Sequence, residues 1–188
     1  MSVKQKIHGS EGIFFITFTC FNWLSLFEIT NTYDAVYNWF NILKLAGHNI
    51  SGYVIMPNHV HLLAEFVKQS MSLDKIIGNG KRFIAYKIIK ELTKVGRPDL
   101  LAQLSDGVEL ADRKRGKLHE VFKDSFDCKE CFTEKFVKQK LNYIHSNPCV
   151  GKWQLASCPE EYLHSSAKYY TTGEQGVFSV THIMELLM

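Results

Sequence analysis

Proline and charge of one sign are both scarce in this sequence, and no long apolar run is present. Four prolines and twelve glycines among 188 residues exclude a collagen-like repeat, and no low-complexity tract interrupts the chain. Lys plus Arg exceed Asp plus Glu by only 22 to 19, a formal +3, so overall charge neither marks nor excludes a nucleic-acid partner. The greasiest stretch, Ile13 to Phe27, is broken by Thr17, Thr19, Asn22 and Ser25 and falls short of the ~20 apolar residues that span a bilayer. Met1 to Gly12 holds no apolar run of the secretory kind, so a cytoplasmic protein without a membrane partner is expected. Five cysteines, an odd number, argue for reduced thiols over a disulfide framework. What is present is 46% apolar and 22% charged residues, the composition of a folded soluble protein; 188 residues fit one domain better than two.

Local patterns give an order of elements. Ile13 to Cys20 is dense in β-branched and aromatic residues and alternates, as a central strand does. Thr30 to Leu45 has Val36, Phe40 and Leu43 at helical spacing, with Gly47 beyond the end. Asn49 to Met56, the Pro57-Asn58 turn and His59 to Phe66 read as a hairpin. Its second strand sets Val60, Leu62, Ala64 and Phe66 against His59, His61, Leu63 and Glu65. Ser72 to Val95 is an amphipathic basic helix, with a break expected near Gly78 and Gly80. The polar stretch Arg97 to Lys117 is expected to be mostly loop, Leu118 to Phe122 a fourth strand, and Thr133 to Ser146 a helix stopping before Pro148. An irregular wrap with a short last helix at Thr181 to Leu187 completes the chain. The order β-α-β-β-α-β followed by a helix predicts an α+β fold. It is a ferredoxin-like split βαβ with a four- to five-stranded antiparallel sheet and helices on one face. The core covers about residues 13–148, and 149–188 form a C-terminal extension.

Two constellations carry chemistry. His59 and His61, at i and i+2 of a strand, share a face ~6.6 Å apart and could converge on one ion, or could be half-buried histidines bonded to their surroundings. Glu65 lies ~13 Å beyond His61 and is not expected to join them. Tyr143 and Asn147, four apart, are neighbours on one helix face at the seam with the sheet, where a packing tyrosine is the plainer reading. Cys128-Lys-Glu-Cys131 is a CxxC, but Cys149 and Cys158 are nine apart and lack the short spacing of a second zinc knuckle. His8, His48, His119, His164 and His182 show no ligand spacing, and His145 is expected to pack and not to ligate a metal.

Together the motifs resemble a known family. Tyr53-Val-Ile-Met-Pro-Asn-His-Val-His-Leu-Leu63 is similar to the signature of the HUH-motif single-tyrosine transposases of simple insertion sequences. Tyr143-Ile-His-Ser-Asn-Pro148 is similar to their tyrosine-helix motif, in the form of the REP-associated tyrosine transposase branch. Phe15-Ile-Thr-Phe18 and Glu161 to Tyr170 add weaker echoes, so the resemblance spans about residues 13–170. After Pro148 the chain departs from the usual pattern and reads Cys149-Val-Gly-Lys-Trp-Gln-Leu155.

The resemblance implies that His59, His61 and Asn147 hold a divalent metal, Mg or Mn, leaving positions open for phosphate oxygens. It implies that Tyr143 attacks single-stranded hairpin DNA to give a 5′-phosphotyrosine. An unperturbed phenol ionises near pH ~10, so Lys140, one turn back, is a candidate to support the phenolate. It also implies a single-stranded or hairpin DNA partner and, in some relatives, a homodimer. Lys68 to Arg97 carries eight basic residues against Asp74 and Glu91, a local +6 (8 − 2). With the 113–117 cluster it makes a candidate phosphate track of Lys75, Lys81, Arg82, Lys90, Arg113, Lys114 and Arg115, or else a solvated face. A non-cleaving DNA- or RNA-binding regulatory module, and a phosphodiesterase with water as nucleophile, are the alternatives to a strand-transfer enzyme.

Overall fold

The structure, a computed structural model, describes residues 11–187 apart from Gln69 and Ser125; His8 and the rest of 1–10 lie outside these. Strand β1 (Gly12–Thr19) is followed by a 3-10 turn at Phe21–Trp23, a short helix α1 (Leu26–Thr30) and helix α2 (Tyr33–Leu45). The hairpin β2 (Asn49–Met56) and β3 (His59–Phe66) leads into α3 (Leu73–Lys94). Then come α4 (Pro98–Asp106), α5 (Leu110–Lys114), β4 (Asp127–Glu130), α6 (Glu134–Ser146), α7 (Ala167–Thr172) and α8 (Ile183–Leu186). The sheet order is β2-β3-β1-β4 with every neighbouring pair antiparallel, the split βαβ arrangement expected.

Strand alternation divides the molecule into two layers of core. Phe14, Ile16 and Phe18 of β1 and Val60, Leu62, Ala64 and Phe66 of β3 face α2 and α3, whose Phe40, Ile77, Ile84 and Ile88 close over them. The other face carries Phe15 and Leu63, covered by Val137, Leu141 and Ile144 of α6 and by Ile183. The tyrosine-bearing helix therefore lies across the sheet from α2 and α3. Thr133 caps it, its hydroxyl accepting from Phe136 N at 3.2 Å, and Pro148 ends it.

Three boundaries differ from the sequence reading. The fourth strand is Asp127–Glu130, not Leu118–Phe122, which touches the sheet through one bridge, Cys20 to Phe122. Leu118–Phe122 shares its backbone bonds between the end of β1 and α4, with Phe21 N on Val121 O and Glu120 N on Leu104 O. The true strand, Asp-Cys-Lys-Glu, is a polar edge with no apolar alternation to reveal it. The expected loop 97–117 is largely α4 and α5: Pro98 opens α4, and Leu100 and Leu104 bury one turn apart. Helix α3 runs unbroken through both glycines; α2 packs close at Gly80, where a Cβ would overlap the Trp39 indole, whereas Gly78 faces open space.

The C-terminal wrap seals the free edge of β2. Ile55 N bonds His164 O at 2.9 Å, Ser166 N bonds Tyr53 O at 3.0 Å and Thr181 N bonds Ile50 O at 2.9 Å. Tyr162 and Tyr170 hydroxyls donate to the carbonyls of Ile55 and Ser51. His164 stacks on Tyr33 with ring centroids 3.7 Å apart and shares a 2.9 Å hydrogen bond with the Tyr37 hydroxyl. His145 of α6 shares one of 2.9 Å with Ser166. Among the described residues no helix is long and apolar enough to cross a membrane.

Two predictions follow from this packing. Gly78→Ala, with open space around its Cβ, is expected to raise the urea midpoint through a helix-propensity gain of up to about 1 kcal/mol. Gly80→Ala is expected to lower it, because overpacking against Trp39 costs about 1–3 kcal/mol; midpoints moving in the same direction would contradict this. Burial pulls the pKa of both His145 and His164 down to about 4. As pH falls below ~6.5 the unfolded chain takes up these protons first, so the stability is fully present above that pH and is lost toward pH 4. His145 contributes up to about 1.4 kcal/mol per pH unit, and His164, more open to water, contributes less. The midpoint should fall between pH 7.5 and pH 5, and His145→Phe should shrink the fall.

Candidate active site

The α6 face of the sheet is polar at one end. The register pairs Thr17 with His61 and Thr19 with His59, and these four side chains point toward α6 beside Phe15. His59 and His61 are 5% and 4% exposed, their rings 4.7 Å apart at a steep angle. The sheet thus buries two imidazoles together, and their nitrogens need partners.

Each Nδ1 has one. His59 Nδ1 lies 2.6 Å from Asn58 Oδ1, and Asn58 Nδ2 donates to Trp23 O at 2.9 Å, which fixes the amide with its oxygen toward the ring. An amide oxygen only accepts, so His59 carries its proton on Nδ1 and leaves Nε2 a free lone pair. His61 Nδ1 lies 2.7 Å from Thr17 Oγ1, and its Nε2 is 3.5 Å from Asn147 Nδ2. Burial, opposed by the nearby Asn147 amide and reinforced by Lys152, lowers the pKa of His59 to about 4. Burial, then His59 and Lys140, lowers that of His61 to about 3. Both rings are neutral at neutral pH.

Asn147 completes the cluster. It follows α6 in a 3-10 turn with Pro148, 8% exposed, and its Oδ1 is a buried oxygen with no hydrogen-bond partner among the described residues. A buried orphan acceptor is costly in a native fold. Two neutral imidazoles, with His61 Nε2 against the Asn147 amide, and one amide oxygen without a partner make a donor set that a divalent cation can accept, so the residues fit a metal.

Tyr143 stands beside this cluster, its ring centroid 5.1 Å from that of His61 and 6.0 Å from that of Phe15, and it is 49% exposed. Lys140, one turn earlier, lays its ammonium over Phe15 at 4.7 Å and within 5.8 Å of the Tyr143 ring centroid. Together they line a cleft of about 1030 Å3, with Trp23, Lys123, Asp127, Lys129, Lys152 and Trp153 around it.

The structure thus gathers His59, His61, Asn147, Tyr143 and Lys140 in one place. It does not bring the other basic candidates there. Lys75, Arg82 and Lys90 are exposed on α3, across the sheet. Lys81 donates to the carbonyls of Lys123 and Asp124, at 2.8 and 3.3 Å, and burial lowers its pKa to about 8. Arg113 hydrogen-bonds Val108 O and Ser105 O, closing the end of α4, Arg115 pairs with Asp112, and Lys114 is exposed. The lysines at the cleft, 123, 129 and 152, were not singled out by sequence, because they fall in turns and on an edge strand without periodicity. Thr17 was legible in principle, since β1 alternation puts it on the face that pairs with His61.

Two further groups stand apart. Asp112, Glu120 and Asp124 lie close enough together to hold a cation, but the Lys117 ammonium is already among them, 3.3 Å from Asp112 and 3.0 Å from Asp124 and paired with Glu120. Cys128 packs toward the α2/α3 side of the sheet and Cys131 toward the α6 side, so the CxxC thiols do not converge. Glu65 accepts from Asn49 at 2.8 Å, away from the histidines.

No family model matches the chain. An uncharacterized protein of Haemophilus influenzae is 26% identical over 158 residues, spanning 79% of this chain and 86% of that protein. The solved structure of a REP-associated tyrosine transposase bound to a REP hairpin superposes with a TM-score of 0.61 at 14% identity, covering 97% of this chain and 93% of the other. The chain therefore has the α+β fold of that tyrosine transposase over nearly its whole length.

Proposed function

We propose that this chain is a transposase-like DNA-processing enzyme that cleaves and rejoins single-stranded hairpin DNA, with Tyr143 as nucleophile. One observation carries this most: two buried neutral histidines and the Asn147 amide, whose Oδ1 has no partner among the described residues, gather beside a half-exposed tyrosine. The shared fold supports it, since the similar protein was solved with a hairpin bound.

In this reading the Tyr143 oxygen loses its proton to solvent and forms a bond to phosphorus. The P–O3′ bond breaks, the 3′ oxygen takes up a proton to become the free hydroxyl of the upstream fragment, and the downstream fragment stays on the tyrosine through its 5′-phosphate. A second 3′-hydroxyl reverses the step and rejoins DNA without ATP. Lys140 places positive charge against the ring on which the phenolate develops. A magnesium or manganese ion held by His59, His61 and Asn147 would supply Lewis-acid polarisation of the phosphate. Asn58 holds His59 in the tautomer, and Thr17 holds His61 in the orientation, that such a ligand set needs. Tyr143 and His61 meet within one chain, which supports the tyrosine acting in the copy that carries it. Lysines 123, 129 and 152 meet the phosphates nearest the cleft, and Lys75, Arg82 and Lys90 would serve a more distant arm of the hairpin.

Incubation with Mg2+ and labelled single-stranded hairpin DNA from the flank of the gene is expected to yield a covalent protein–DNA adduct. EDTA and Tyr143→Phe should each abolish the adduct while Tyr143→Phe retains DNA binding. Cleavage that survives in Tyr143→Phe would assign the reaction to water, and salt-sensitive binding with no adduct under any condition would leave a binding module. Thr17→Val, nearly isosteric and compatible with a strand, is expected to weaken Mn2+ binding about 10- to 100-fold with little change in fold. Unchanged Mn2+ affinity would remove Thr17 from the supporting shell.

A further inference from the structure

The chain has three tryptophans, and the structure uses them differently. Trp39 is 5% exposed in the core. Trp23 and Trp153 instead flank His59, with ring centroids 6.2 and 5.8 Å from its imidazole. Trp23 is 52% exposed and sits in left-handed backbone, at φ 58 after Asn22 at φ 48. For a bulky residue that conformation is a genuine outlier, and such strain persists where the surroundings enforce it. Here Cys20 O accepts from Trp23 N at 3.1 Å and Asn58 Nδ2 holds Trp23 O at 2.9 Å. The backbone is thus bent to hold a large indole out at the mouth of the cleft, where it adds nothing to the core.

Each indole has a lysine over it: the Lys123 ammonium lies 4.4 Å from the Trp23 ring centroid and that of Lys152 lies 5.2 Å from the Trp153 ring centroid. An exposed cation–indole contact is weaker than a base stacked on an aromatic ring, so a base can take the ring while the lysine turns to that nucleotide's phosphate. Four lysines against one aspartate line the cleft, which disfavours a second copy bringing the same charges. Bases in a duplex keep their faces covered by their neighbours, so the occupant is unpaired.

We propose that Trp23 and Trp153 form a stacking site for unpaired nucleobases beside the scissile phosphate, with Lys123 and Lys152 binding the adjoining phosphates. This rests on the DNA-processing reading above and adds a determinant of where the strand is cut. The same Asn58 amide holds both the Trp23 carbonyl and His59 Nδ1, so docking a base on Trp23 bears on the residue that orients His59.

The test is made in Tyr143→Phe protein, which binds without cleaving. Its affinity is measured for a hairpin oligonucleotide with an unpaired flank and for a series in which each flank nucleotide in turn is abasic. Trp23→Ala and Trp153→Ala are each expected to weaken binding of the intact flank roughly 5- to 100-fold. Each loss should vanish on the oligonucleotide that is abasic at the matching position, and Trp23→Phe should recover most of the affinity. Absence of binding by the parent, alanine variants that bind as tightly as the parent, or a loss of the same size on every abasic oligonucleotide would each overturn the proposal. Adduct formation is scored separately with Tyr143 intact. Adduct with tryptophan-insensitive binding rejects the stacking site alone, whereas stacking without adduct rejects the cleavage reading alone.

Discussion

Two imidazoles sealed between the sheet and α6 set the terms for the rest of this structure. A charged histidine in that position would carry a large desolvation penalty, so both rings are neutral and each needs a neutral partner for its Nδ1. Asn58 and Thr17 meet that need. The consequence is geometric: the His59 proton is held away from the cleft by Asn58, and His61 turns its Nε2 to the Asn147 amide. On the proposed reading the Asn147 Oδ1, buried without a partner among the described residues, is an acceptor available to a metal.

The two faces of the sheet divide the work. On the α2/α3 face the apolar half of β1, β2 and β3 packs against long helices, and this layer holds most of the buried aromatic side chains. The α6 face is thinner, and its apolar cluster of Phe15, Leu63, Leu141 and Ile144 serves to seat one short helix in register with the histidines. Gly52 is part of this fit, because a Cβ there would stand 2.5 Å from Leu141 Cδ1. The C-terminal wrap closes the free edge of β2 and reaches α6 through the bond between His145 and Ser166, so the helix is braced from both sides. Charge follows a similar division. The cleft lysines cluster around the histidines, while the +6 segment lies across the sheet.

Much of this was legible in the sequence where a side chain reports its own surroundings. The alternation in 59–66 separated the histidines from the core residues before any coordinates, and Tyr143 with Asn147 four residues on marked one face of α6. The edge strand Asp127–Glu130 was illegible because an edge of charged residues has no buried face to impose a pattern. Helix α4 was hidden in a polar segment whose only apolar signal is a buried pair one turn apart, Leu100 and Leu104. Long-range placement was the larger loss. Helical periodicity shows that Lys75, Arg82 and Lys90 avoid the core, but not which side of the sheet their helix covers. Trp23, Lys123 and Trp153 come from three distant turns, and only the closed fold brings them to His59.

The central claim is that the two neutral histidines on β3 and the amide of Asn147 form a metal site against Tyr143. Pulsed electron paramagnetic resonance of Mn2+ added to the protein tests it most directly, because directly coordinated imidazole nitrogens couple to the electron spin. Couplings from two imidazoles are expected, falling to one in His61→Phe. A spectrum showing only water ligands, or one that His61→Phe leaves unchanged, would contradict the account.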